Sequence, residues 1–117
     1  MEGLEPRVKL WWEKDGKLVF SDYRAHLLRS IRETGSLAVA ADRMGLSYRR
    51  AWGKIREIED NLGEHLVESR RGGASGGRSR LTPLGDELLS EFEKQLDAAT
   101  AAVGAGAVAP DDERPRD

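Results

Sequence analysis

The chain predicts a mainly α domain with a small β component, a winged helix-turn-helix with an N-terminal β-hairpin and a long C-terminal helix. Three observations carry this reading. Residues 35–62, GSLAVAADRMGLSYRRAWGKIREIEDNL, hold two capped, apolar-periodic segments joined at Gly45, the sequence shape of two helices around a tight turn. Behind them, a segment rich in glycine and arginine separates two short strand-like runs. Finally, an apolar stripe at helical spacing runs from Leu84 to Val103.

The elements follow in order. Val8–Glu13 and Lys17–Phe20 flank Asp15-Gly16, a strong two-residue hairpin signal. Ser21 or Asp22 then caps a first helix, with Tyr23, Leu27, Leu28 and Ile31 on its apolar arc and Gly35 as its stop. Ser36 opens a second helix with Leu37, Ala40, Ala41 and Met44 on one side. Ser47 opens a third, which buries Ala51, Ile55, Ile58 and Leu62 and ends at Gly63. Leu66–Ser69 reads as a strand. Arg70–Arg80 reads as a flexible basic loop and Leu81-Thr82 as a return strand, together the outline of a wing. Thr82 caps the last helix, with Pro83 at its favoured first position. The domain is expected over residues 7–103, and residues 104–117, GAGAVAPDDERPRD, have the composition of a disordered acidic tail.

With 117 residues, the chain fits one small domain. It has no cysteine, which excludes disulfides and thiolate metal sites and suits a cytoplasmic setting. No apolar run follows a basic head at the start, and none reaches membrane-spanning length, so neither secretion nor a membrane partner is expected. The overall charge of −2 hides an uneven spread. Residues 1–20 are balanced, residues 21–82 carry +4 and residues 83–117 carry −6. Phosphate responds to local charge, because screening removes contributions beyond about 8–10 Å.

On a helical wheel, the third helix keeps its apolar side to dock and turns Arg49, Gly53 and Arg56 outward, with Arg50 at the shoulder and Tyr48 and Trp52 as flanks. A basic helix head suits phosphate and base edges, and arginine is shaped for bidentate contact with guanine. Gly53 is a poor helix former, and its place on the outer side would let the backbone approach another surface. The wing residues Arg70, Arg71, Arg78 and Arg80 bracket four glycines, a composition that can follow a groove and neutralise phosphate. The bland alternative for both regions is a solvated basic surface; the capped helix pair and the wing together weigh toward nucleic acid.

Enzymatic chemistry finds no support. The glycine run lacks the Gly-Lys-Ser/Thr of phosphate-binding loops. His26 and His65 are the two histidines and have no ligand array of metal spacing. Glu57, Glu59 and Asp60 read as helix surface charge, and no nucleophile grouping is present. No metal or cofactor is therefore expected. Trp11, Trp12 and Trp52 read as core or protein-interface residues. The last stripe is longer than a covering helix needs, so Leu89, Phe92, Leu96, Ala99 and Val103 are expected to form a homodimer interface; ordinary packing of Leu84 to Phe92 is the alternative. A dimer would set paired helices about 34 Å apart on a two-fold DNA site.

GSLAVAADRMGLSYRRAWGKIREIEDNLGEHLVESRRGG and LTPLGDELL resemble the winged-helix DNA-binding domain of the ModE family, the molybdate-responsive transcriptional regulators. SYRRAW, the glycine-rich wing and the strand pair around Val8–Phe20 lie on that side. More distantly, the Gly-Ser opening, the Ala-Ala pair, Gly-Leu-Ser and Leu-Thr-Pro-Leu-Gly are similar to the N-terminal domain of LysR-type regulators. The resemblance covers roughly residues 8–100. It implies a sequence-specific transcriptional regulator on double-stranded DNA. It puts Ser36 at the start of the motif's first helix, and Ser47, Tyr48, Arg49 and Arg50 at the head of the recognition helix, with Gly53 and Lys54 one turn on. ModE regulators also carry C-terminal oxyanion-binding domains, which residues 104–117 do not supply, so an oxyanion effector is not carried over. A stand-alone regulator, one that senses through a partner, and a piece of a longer protein all fit the residues. A protein-interaction module without specific DNA binding is the competing function.

Overall fold

The computed structural model describes residues 2–70 and 78–104. An N-terminal hairpin pairs β1 (Trp12–Lys14) with β2 (Lys17–Phe20). Three helices follow, α1 (Asp22–Thr34), α2 (Leu37–Arg43) and α3 (Tyr48–Leu62). The wing pairs β3 (Val67–Arg70) with β4 (Arg78–Leu81), and α4 (Pro83–Val103) closes the domain. Both sheets are two-stranded and antiparallel.

Local chemistry explains the boundaries. Asp15 and Gly16 both have positive φ, at 52° and 77°, the geometry of the tight hairpin turn. β1 is shorter than its apolar run suggests. β2 ends at Phe20 because Ser21 already serves as the N-cap of α1, so Val8–Trp11 have no strand to pair with. Ser21, Ser36, Ser47 and Thr82 each accept a hydrogen bond from the backbone N–H three residues on, which satisfies a donor that the helix itself leaves orphaned.

The core gathers Phe20 from the hairpin, Leu27, Leu28 and Ile31 from α1, Leu37 and Ala40 from α2, Ile55 and Ile58 from α3, Leu66 and Val67 at the wing, and Leu89 and Phe92 from α4. Trp12 stacks on Phe20 with centroids 5.3 Å apart and meets Phe92 edge-on at 5.3 Å. Its Nε1 donates to Gln95 Oε1 at 2.8 Å. α4 lies so close to the residue that precedes β3 that a Cβ on Gly85 would stand 2.4 Å from the Leu66 carbonyl oxygen. This gives the Leu-Thr-Pro-Leu-Gly run a packing reason for its glycine.

Two expectations need correction. Leu89 and Phe92 are fully buried within this one chain, so they belong to its own core and not to a dimer interface. Glu57 and Glu59 are not simple surface charge. Glu57 pairs with buried Arg24 at 2.9 Å, and Glu59 Oε2 accepts from the backbone N–H groups of Leu66 and Val67 at 2.7 and 3.1 Å. The helix wheel shows which side a residue faces, not which groups another element brings to it.

Candidate nucleic-acid interface

The helix pair is set by its turn. Gly45 takes φ 68°, and the Leu46 N–H returns to the Ala41 carbonyl at 2.8 Å. That closes α2 and points α3 away from it. α3 then docks on Ala51, Ile55 and Ile58, all fully buried.

What remains outside is its basic head. Arg49, Arg50, Gly53 and Arg56 are exposed. Arg49 and Arg50 have no ion pair among the described residues. Arg56 rests its guanidinium 5.9 Å from the Trp52 ring centroid, a weak contact at an exposed site. A Cβ on Gly53 would meet nothing within 4 Å, so the protein's own packing does not demand this glycine. Lys54 behaves differently. It is half-buried, with its ammonium 5.0 Å from the Tyr23 ring centroid on α1, and so it is drawn toward the body of the domain. The Ser36 and Ser47 hydroxyls serve as caps, accepting from the N–H groups of Val39 and Arg50 at 3.1 Å each.

The wing differs from the expected loop. Arg78 and Arg80 lie in a strand, because β4 begins at Arg78. Its register sets Arg70 opposite Arg78 and Glu68 opposite Arg80. The second pair closes as Arg80 Nε to Glu68 Oε2 at 2.9 Å. The first puts two like charges across the ladder, an arrangement that costs stability unless an anion lies between them. Arg71 and the glycine run at 72–77 lie outside the described residues.

The wing joins the helix pair at its base, where the Ser79 N–H donates to the Gly35 carbonyl at 3.0 Å. Between them opens a cleft of ≈ 900 Å³ lined by Thr34, Ser36, Val39, Arg70, Arg78 and Arg80 among others. The structure thus brings Ser36 and the described wing arginines to one cleft. Tyr48 lines a smaller recess that shares Arg70 and Arg78 with it. Elsewhere, among the described residues, no three His, Cys, Asp or Glu side chains converge as a metal site would require. No helix of the described residues is long and apolar enough to cross a membrane.

Sequence reasoning missed Arg24. It is 2 % exposed, donates to Glu57 and sits 3.4 Å from the Leu18 carbonyl oxygen, tying the hairpin and α1 to α3. An arginine beside an apolar arc reads as surface, and its partner lies 33 residues away.

Residues 24–86 match the model of the bacterial regulatory helix-turn-helix proteins of the lysR family. The chain belongs to that family. The matched span begins after the hairpin and takes in the helix pair, the wing and the start of α4. Curated relatives of this LysR-family chain include the molybdenum-pterin-binding protein MopA of Rhodobacter capsulatus. It is 37 % identical over 81 residues, which cover 69 % of this chain and 31 % of the relative. The DNA-binding transcriptional dual regulator ModE of Escherichia coli K12 is 34 % identical over 91 residues, 77 % of this chain and 34 % of the relative. The chain therefore matches about a third of the length of these relatives. Among solved structures, a CbnR DBD–DNA complex gives a TM-score of 0.55 at 23 % identity, covering 71 % of this chain and 90 % of that one. A BenM DBD–benA site 1 DNA complex gives 0.55 at 22 %, covering 73 % and 90 %. At such identity the likeness concerns the fold, which is the winged helix-turn-helix expected from the sequence.

Proposed function

We propose that this LysR-family chain is a sequence-specific duplex-DNA-binding regulator of transcription, acting in the cytoplasm as a homodimer. The head of α3 enters the major groove, where Arg49 and its neighbours meet base edges, and the wing lies on the flanking backbone. One observation carries the reading. Arg24, Arg29 and Arg32 all have carboxylate partners, whereas Arg49, Arg50, Arg70 and Arg78 stand exposed with none among the described residues, the first two on the head of α3 and the last two on the wing, where they line the recess that Tyr48 also lines. Their missing counter-charge is the phosphate backbone.

The competing reading, a protein-docking module, finds less support in the paired tryptophans. Trp12 is committed to Phe20, Phe92 and Gln95, and the Trp11 Nε1 donates to Glu13. For the dimer, the usable part of α4 is its far end. Leu96 and Ala99 are half-buried and Val103 is 50 % exposed.

Selection from a randomised duplex pool tests the proposal. An enriched motif is expected, with affinity falling linearly on a log–log salt plot. A pool that enriches no motif at moderate salt contradicts it.

A further inference from the structure

The exposed head of α3 holds one side chain that phosphate attraction does not explain. Tyr48, the first residue of α3, is 52 % exposed. Its ring meets that of Trp52 in a T-shaped arrangement, with centroids 6.5 Å apart, and its hydroxyl has no hydrogen-bond partner among the described residues. Val39 on α2, 45 % exposed, lines the neighbouring cleft. Both residues border the wing base at Ser69, Arg70, Arg78 and Ser79. Two apolar points therefore stand beside the exposed wing cations Arg70 and Arg78.

The charge commits the occupant to a polyanion, and the apolar points call for a polyanion that also presents apolar groups. Duplex DNA does so in one place: the 5-methyl group of thymine is the apolar feature on the major-groove floor. The first residues of a recognition helix are those that reach that floor. Resting on the DNA-binding reading above, we propose that Tyr48 is a specificity-determining residue that recognises thymine through its methyl group.

The contact is made by the ring, so the hydroxyl is dispensable. Once a site has been selected, each thymine is replaced singly by deoxyuridine, which removes only the methyl. One thymine per half-site then weakens wild-type binding about fourfold, the worth of one methyl group taken from water. Tyr48→Phe keeps this sensitivity. Tyr48→Ala loses it and binds thymine and uracil sites alike, with circular dichroism confirming an intact fold. The proposal is overturned if no thymine responds in the wild type, if Tyr48→Ala responds as the wild type does, or if Tyr48→Phe is as insensitive as the alanine variant. A chain that selects no DNA site at all instead refutes the underlying DNA-binding reading.

Discussion

The C-terminal half of α3 is gripped from several sides, whereas its N-terminal half is held by a serine cap, buried Ala51, Trp52 against the core and Lys54 over the Tyr23 ring. Behind the C-terminal half, Asn61 Nδ2 donates to the Leu18 carbonyl at 2.8 Å and the Lys14 ammonium to the Leu62 carbonyl at 2.7 Å. Arg24 reaches Glu57, and Glu59 receives two N–H groups from the wing side. In the N-terminal half, Ala51 is buried, while Tyr48, Arg49, Arg50 and Gly53 face water. A helix anchored at its far end can present its head without spending that head on packing. In one half Glu57 and Glu59 meet partners inside the molecule; in the other Arg49 and Arg50 have no ion pair among the described residues.

Breaking the gripped half has the largest effect. Ile58→Ala removes a fully buried side chain at the centre of the helix's docking face. It is expected to cost about 2–5 kcal/mol, read from the denaturation midpoint. Arg24→Met comes next, at about 2 kcal/mol, for the loss of a charge-assisted hydrogen bond; a loss under about 0.5 kcal/mol would show that the hairpin does not brace α3.

The α1–α4 contact sharpens the same contrast through pH. Burial works against ionisation of Glu93, but hydrogen bonds from Arg29 and Arg32, together with their charges, outweigh it and hold its carboxyl below the ordinary 4.5. A carboxyl with a depressed folded value stabilises fully above the unfolded value, and that contribution disappears as pH falls through the lower, folded one. Glu93→Gln should therefore melt lower than wild type at pH 7, by about 1 kcal/mol or less for a contact this close to the surface. Acid thermal melts should then show the two proteins converging as pH falls below the ordinary 4.5. A gap that persists unchanged into acid contradicts the assignment. The smallest stability effect belongs to the exposed head: Arg49→Ala with Arg50→Ala should change stability by less than about 0.5 kcal/mol. A larger loss would mean that the head helps hold the fold.

The same contrast decides what the sequence made legible. The four side-chain caps, the Asp15-Gly16 turn and the buried face of α3 depend on residues within a few positions of each other, and all are where local chemistry puts them. The burial of Arg24, the work of Glu59 and the strand start at Arg78 depend on elements brought from elsewhere in the chain, so no local pattern announced them. The stripe on α4 was legible as an apolar face, but periodicity could not say whether Leu89 and Phe92 would meet their own core or a second copy. The arginine head was legible as basic; only the structure shows that Arg49 and Arg50 have no ion pair among the described residues while Arg24, Arg29 and Arg32 do.

The central claim is that the head of α3 reads sequence while the wing supplies sequence-independent attraction. Binding of the selected site and a set of single-base variants, measured across salt for Arg49→Ala and Arg78→Ala, tests it most directly. Arg49→Ala should flatten preference at one base position and lose about 1–3 kcal/mol on the best site. Arg78→Ala should weaken every sequence alike and lower the salt slope by about one. Two variants that lose affinity identically on all sequences, with base preference intact in both, would contradict the account.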